Sequence, residues 1–200
     1  MGSPHEILVA PFQVYIAPYG ESFPDVDTTP AGNWTLLGTN GKFNMSEDGV
    51  TINHEQTIVQ LYALGSTFPV KAIRTQEACT VGFTLLDATL EQVKYALNNN
   101  TVTDTAAGSG TPGYRVINIR QGQDVYTHAL LVKGASPYDN DLYGQYEIPS
   151  CFQSGNMSLV YNKSVAVGVA IMFTVLEDPN AASDEERAGQ INWQDAVALA

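Results

Sequence analysis

A chain of 200 residues with 9 Lys and Arg against 21 Asp and Glu carries a formal charge of −12. That balance argues against a grip on nucleic acid through phosphate neutralisation, because such a grip needs clustered cations. An apolar content of 44% with only 15% charged residues excludes general disorder, and the length suits one domain with room for an added arm. No apolar run reaches 18 residues, and Met1-Gly2-Ser3-Pro4-His5-Glu6 has neither the positive flank nor the apolar stretch of a signal peptide. The expectation is a soluble chain made in the cytoplasm, with Cys79 and Cys151 as reduced, strand-buried thiols and a single structural disulfide as the alternative. On that expectation the sequons at Asn33, Asn44, Asn156 and Asn162 are chance matches.

Period-two alternation of β-branched and aromatic residues predicts strands over 7–19, 34–38, 50–62, 70–74, 78–86, 114–120, 125–133, 143–148, 158–161 and 165–176. Between two of these runs, Gln121-Gly122-Gln123-Asp124 reads as a tight hairpin turn, with Gly supplying the positive φ. Asn162-Lys163 reads the same way before the long final strand. One segment changes period: Leu90, Val93 and Leu97 share a helical face over 89–98, with Thr89 and Gln92 placed as a capping box and an Asn run as the stop. Residues 99–113, rich in Thr, Gly and Ala, read as a loop. The sum is an α+β, mainly β chain: a sandwich or partial barrel with one helix packed against it.

Composition shifts after Glu177. Asp178-Pro179 ends a strand, an acidic cluster follows at Asp184-Glu185-Glu186, and then come Ile191 and Trp193. The reading is a domain over 1–178, with a hairpin at 50–76, and a C-terminal arm over 179–200. Fraying is the ordinary fate of such a tail, but a large aromatic is the kind of anchor that orders on a partner.

The motifs that suggest chemistry lack their context. Gly108-Ser109-Gly110-Thr111-Pro112-Gly113 has the letters G-x-G-x-x-G, yet a polar loop precedes it and a strand follows, where a dinucleotide site needs a strand and then a helix. Asp139-Asn140-Asp141 opens like a calcium loop, but Tyr143 and Ser150 stand where the later ligands belong. His5, His54 and His128 form no zinc pair, no Gly-x-Ser-x-Gly elbow occurs, and pairs such as Glu47-Asp48 fall in turns. No catalytic, cofactor or metal residue is assigned, which directs attention to a structural or binding role.

A series of pieces in order, Gly32 to Gly38, Ser46-Glu47-Asp48-Gly49-Val50, Gly65 to Glu77, Thr80 to Leu85, Leu159 to Lys163 and Phe173 to Pro179, resembles the major tail protein, or tail tube protein, of long-tailed phages. The resemblance spans about Pro11 to Pro179. It implies a tail-tube-type β-sandwich or partial barrel with one flanking helix, forming rings, usually of six, that stack into a hollow tube. It also implies a virion location after assembly in the bacterial host cytoplasm, around a tape measure protein, between tail tip or distal tail and terminator proteins. DNA passes through without specific binding and no membrane is involved. A channel that conducts DNA is better lined by acidic or neutral groups than by Lys or Arg. The long hairpin resembles the family loop that reaches a neighbouring subunit or ring, and its apolar tip is too long to bury within one small domain. Ile58, Leu61, Tyr62, Phe68, Lys71 and Arg74 on that hairpin, with Trp193 in the tail, are the expected interface residues. For the aromatics the competing expectation is a core of the chain's own. Two other functions compete: a type VI secretion tube subunit, with the same ring logic, and a monomeric β-sandwich module that binds carbohydrate on exposed Tyr and Trp.

Overall fold

The computed structural model describes residues 12–38, 44–136, 142–161, 163 and 167–194. The expectations placed on His5, on 7–11, on Asp139, Asn140 and Asp141, on Asn162, on 165–166 and on 195–200 lie outside the described residues. The chain runs β1 (Phe12–Pro18), β2 (Thr35–Leu36), β3 (Met45–Tyr62), β4 (Pro69–Leu85), α1 (Leu90–Ala96), β5 (Val102–Thr105), β6 (Tyr114–Ile117), β7 (Thr127–Ala135), β8 (Tyr143–Gln153), β9 (Val169–Val175) and β10 (Gln190–Trp193). Among the described residues it is mainly β with one α-helix, as the alternation and the single period change predict.

The principal sheet is antiparallel, in the order β2-β1-β7-β8-β9-β4-β3, with β10 added to β8. One edge of β8 is shared: Gly144 to Glu147 pair with β10, and Cys151 to Gln153 pair with β9. Alternation assigns the faces. Val14 and Ile16 of β1, Leu130 and Val132 of β7, Val169, Ile171 and Phe173 of β9, and Val81, Phe83 and Leu85 of β4 build one buried core. The opposite face of β1 and β7 carries a smaller cluster of Tyr15, Ala17, Ala129 and Leu131 under Trp34, whose indole donates to the Ser22 carbonyl (3.0 Å). In a flat sheet β1 and β3, five strands apart, would be separated by about 24 Å at ~4.8 Å per strand. Instead Phe12 of β1 and Val50 and Ile52 of β3 line one cleft, so the sheet is strongly curled around the main core.

Helix α1 covers that core with Val93, Tyr95 and Ala96, and Leu97 at its C-cap adds to them. The expected capping box does not form. Thr89 makes no side-chain cap; its N–H is taken by Asp87 (3.2 Å), and the Gln92 amide oxygen accepts the Gly38 N–H (3.0 Å) instead. A longer-range demand, the buried Gly38 amide, thus claims the side chain that local capping would use. The helix ends where Asn98 and Asn99 adopt positive φ (56° and 58°). Asn98 then donates to the carbonyls of Gln121 (2.9 Å) and Asp124 (2.8 Å) and accepts the Tyr126 N–H (2.7 Å).

Those bonds explain a further correction. Residues 114–120 and 125–133 do not form a hairpin across Gln121-Gly122-Gln123-Asp124; β6 pairs with β5, which lies inside the segment read as a loop, and β7 pairs with β1 and β8. The turn is held by Asn98 rather than by a ladder. Residues 158–161 form no strand, and 70–74 with 78–86 are one continuous strand, β4.

Candidate functional site

Strands β3 and β4 are 18 and 17 residues long, and only their inner ends belong to the body. Every residue from 53 to 78 is exposed, although the ladder between the strands runs unbroken in pairing from Asn53↔Thr80 to Tyr62↔Pro69, with two register shifts. From His54 to Gly65 this arm reaches roughly 35 Å at ~3.3 Å per residue. It closes in a turn in which the Ser66 N–H bonds to the Ala63 carbonyl (3.0 Å) and Gly65 takes φ 87°, a conformation that glycine adopts without steric cost. Beyond the ladder Leu64 is fully exposed and Phe68 is 78% exposed.

The register sorts the expected interface residues. Alternation along β3 continues the core-facing row through Ile52, His54 and Gln56 to Ile58, Gln60 and Tyr62, with Arg74 opposite Ile58. The Arg74 guanidinium donates to Gln56 (2.9 Å), and the Tyr62 hydroxyl donates to Gln60 (2.9 Å), on this same face. The other face holds Val59 opposite Ile73 and Leu61 opposite Lys71. So Ile58, Tyr62 and Arg74 are brought together on one side, Leu61 and Lys71 on the other, and Phe68 at the tip. All are exposed, and the competing expectation of a core of the chain's own does not hold for Tyr62 or Phe68. Sequence reasoning named Val59 among the hairpin's apolar residues but placed neither it nor Val70 and Ile73 among the interface residues; all three are exposed too, and the signal was present, since each adjoins a residue that was chosen.

At the root of the arm lies an open cleft of about 400 Å³. Its origin is topological. Strand β9 lies between β8 and β4; its pairing with β4 ends at Thr80↔Thr174, while on the β8 side it continues, Val175 pairing with Cys151 and the Leu176 N–H bonding to Ser150 (2.9 Å). The gap between the diverging strands is floored by Cys79, Val175 and Leu176 and rimmed by Glu55, Glu77 and Glu177. Glu77 is paired with Arg74 (2.7 Å). Cys79 lies 3.7 Å from His54 across the ladder, and burial pushes its thiol up, the opposite of an activated nucleophile. Nothing local in the sequence announces this cleft, because it depends on where β9 leaves β4.

Residues 177–194 are attached to the domain. Asn192 and Gln190 donate to the buried Glu147 carboxylate (2.8 and 2.6 Å), and the Tyr19 hydroxyl donates to Asp178 (2.6 Å) while accepting from Asn180 (2.8 Å). The Trp193 ring lies against Gly144 and meets Tyr146 edge-on at 6.2 Å, so its first contact is with its own domain; it stays 43% exposed.

The remaining candidates for chemistry disperse. His128 is buried among Tyr95, Tyr126 and Phe173, and burial, with Lys94 adding to it, lowers its pKa to about 4. The residues from Gly108 to Gly113 connect β5 to β6, so no helix follows to hold a phosphate. Among the described residues no group of three or more His, Cys, Asp or Glu is placed to hold a metal, and no helix is long and apolar enough to cross a membrane. Compared with protein-family models and with curated protein sequences, the chain matches none.

Proposed function

We propose that this chain is a structural subunit, a tail tube protein of the long-tailed phage type, which polymerises through its β3–β4 arm into stacked rings around a central channel. The observation that carries the reading is the arm, a long apolar hairpin exposed on both faces. A monomeric protein rarely leaves contiguous apolar surface unpartnered, and a two-faced arm is fully covered only when it is inserted between neighbours. The curled antiparallel sheet with one covering helix suits the sandwich or partial barrel of that family, and closing such sheets into a ring removes the free outer edge of β3. A net charge of −12 suits a wall past which DNA slides, with tape measure, tip and terminator proteins as further partners.

Negative-stain microscopy with light scattering over a concentration series tests this. Uniform rings or hollow tubes are the expected result. A strict monomer at every concentration, with and without a tail tip complex, overturns it, and retention on a glycan array would then favour a binding module.

A further inference from the structure

We infer that the cleft at the root of the arm receives the arm tip of a second copy, with Phe68 and Leu64 seated on Val175 and Leu176. The inference rests on the self-assembling reading and adds the receptor that the tip would occupy.

Three observations lead there. The tip is the most exposed apolar part of the arm: Leu64 and Phe68 lie beyond the last ladder pair and touch nothing that would hide them from water. The cleft offers an apolar floor of Val175 and Leu176 in about 400 Å³, left open where the pairing of β9 with β4 ends. The charges are complementary. Glu55, Glu77 and Glu177, with Asp184 beside them, against Arg74 and Arg187 leave the cleft negative, whereas residues 57–73 contain Lys71 and no Asp or Glu. Such exposed pairs add little affinity but favour the matching orientation over its reverse.

The placement has a consequence for assembly. Tip and cleft are different surfaces at opposite ends of one arm, so a head-to-tail contact leaves each copy that accepts a tip presenting its own to the next. Run this way the contact propagates from copy to copy, as stacked rings require, whereas a mutual exchange of tips would close it after two copies. The step per copy is set by the arm's reach, roughly 35 Å from its strand rise.

Phe68→Cys tests the contact, with native Cys79 in the cleft floor as the partner thiol. Under a mild added oxidant at alkaline pH, the substituted sulfur is expected to join Cys79 of another copy, giving a ladder on denaturing gels that Phe68→Cys/Cys79→Ser does not give. Phe68→Asp is expected to raise the concentration needed for assembly at least roughly tenfold, the loss of one buried aromatic anchor. Because Phe68 is exposed, its melting temperature should match that of the unaltered chain. If the unaltered chain forms tubes while the substituted sulfur joins only its own counterpart, or joins nothing, the cleft is not the receptor and the tube reading stands. If no assembly and no ladder occur, both fall.

Discussion

The body and the arm are made of the same kind of strand and differ in what the strands face. In the body, β1, β7 and β8 are covered on both sides, so that Val14, Leu130 and Leu131 are wholly buried. Thirty or so ångströms away, at ~3.3 Å per residue, β3 and β4 continue the same ladder with water on both faces. The ladder's hydrogen bonds and its cross-strand side-chain pairs sustain the arm's shape, while apolar burial sustains the body's. An Ile in the arm, about half exposed, gains only cross-strand contact within its own chain, and on the proposed reading the rest of its surface is covered by a partner.

The sharpest way to test this contrast is to remove one aromatic from each region. Phe173→Ala, in the core, should cost about 3–5 kcal/mol in a urea titration. Phe68→Ala, in the arm, should stay within about 0.5 kcal/mol of the parent.

Acid should divide the two regions next. The His128 pKa lies at about 4 rather than 6.5, so between those values the unfolded chain binds the proton that the folded chain refuses. Stability is full above pH 6.5 and is lost as pH falls toward 4, by about 3 kcal/mol in all, with no further loss from this group below that. Denaturation midpoints across pH 4–7 should show the slope, and His128→Leu should flatten it.

A smaller effect belongs to the seam between body and C-terminal segment. A Cβ at position 144 would collide with the Trp193 ring, so Gly144→Ala should displace β10 at a cost of about 1–3 kcal/mol. A red shift of Trp emission would report it, and unchanged emission would show that the ring has room to move.

The body was legible wherever alternation was strong. Gln13 to Ala17, Thr127 to Lys133 and Ile171 to Phe173 each announce a strand with an apolar row. The arm was legible too, because its apolar residues exceed what a small domain can bury. What failed had a tertiary cause. Residues 102–105, Val-Thr-Asp-Thr, look like loop and become β5 only because Tyr114 to Ile117 lie beside them. Gln92 looks like a capping residue until the Gly38 amide is brought to it. Trp193 was expected to wait for a partner, but Gly144 leaves a flat place for the ring on its own domain, and no spacing in the sequence shows that the two positions meet. Of the candidate site, the arm's exposed residues could be named from the sequence, whereas the cleft beneath it depends on a divergence of two strands distant in sequence.

The central claim is that the arm exists for other copies of the chain. Sedimentation velocity on the parent and on Ile58→Asp/Leu61→Asp, which places one charge on each face of the arm, tests it most directly. The account predicts that the parent forms large assemblies as concentration rises, while the double variant, with an unchanged melting temperature, remains a monomer throughout. A variant that assembles at the parent's concentrations would contradict it.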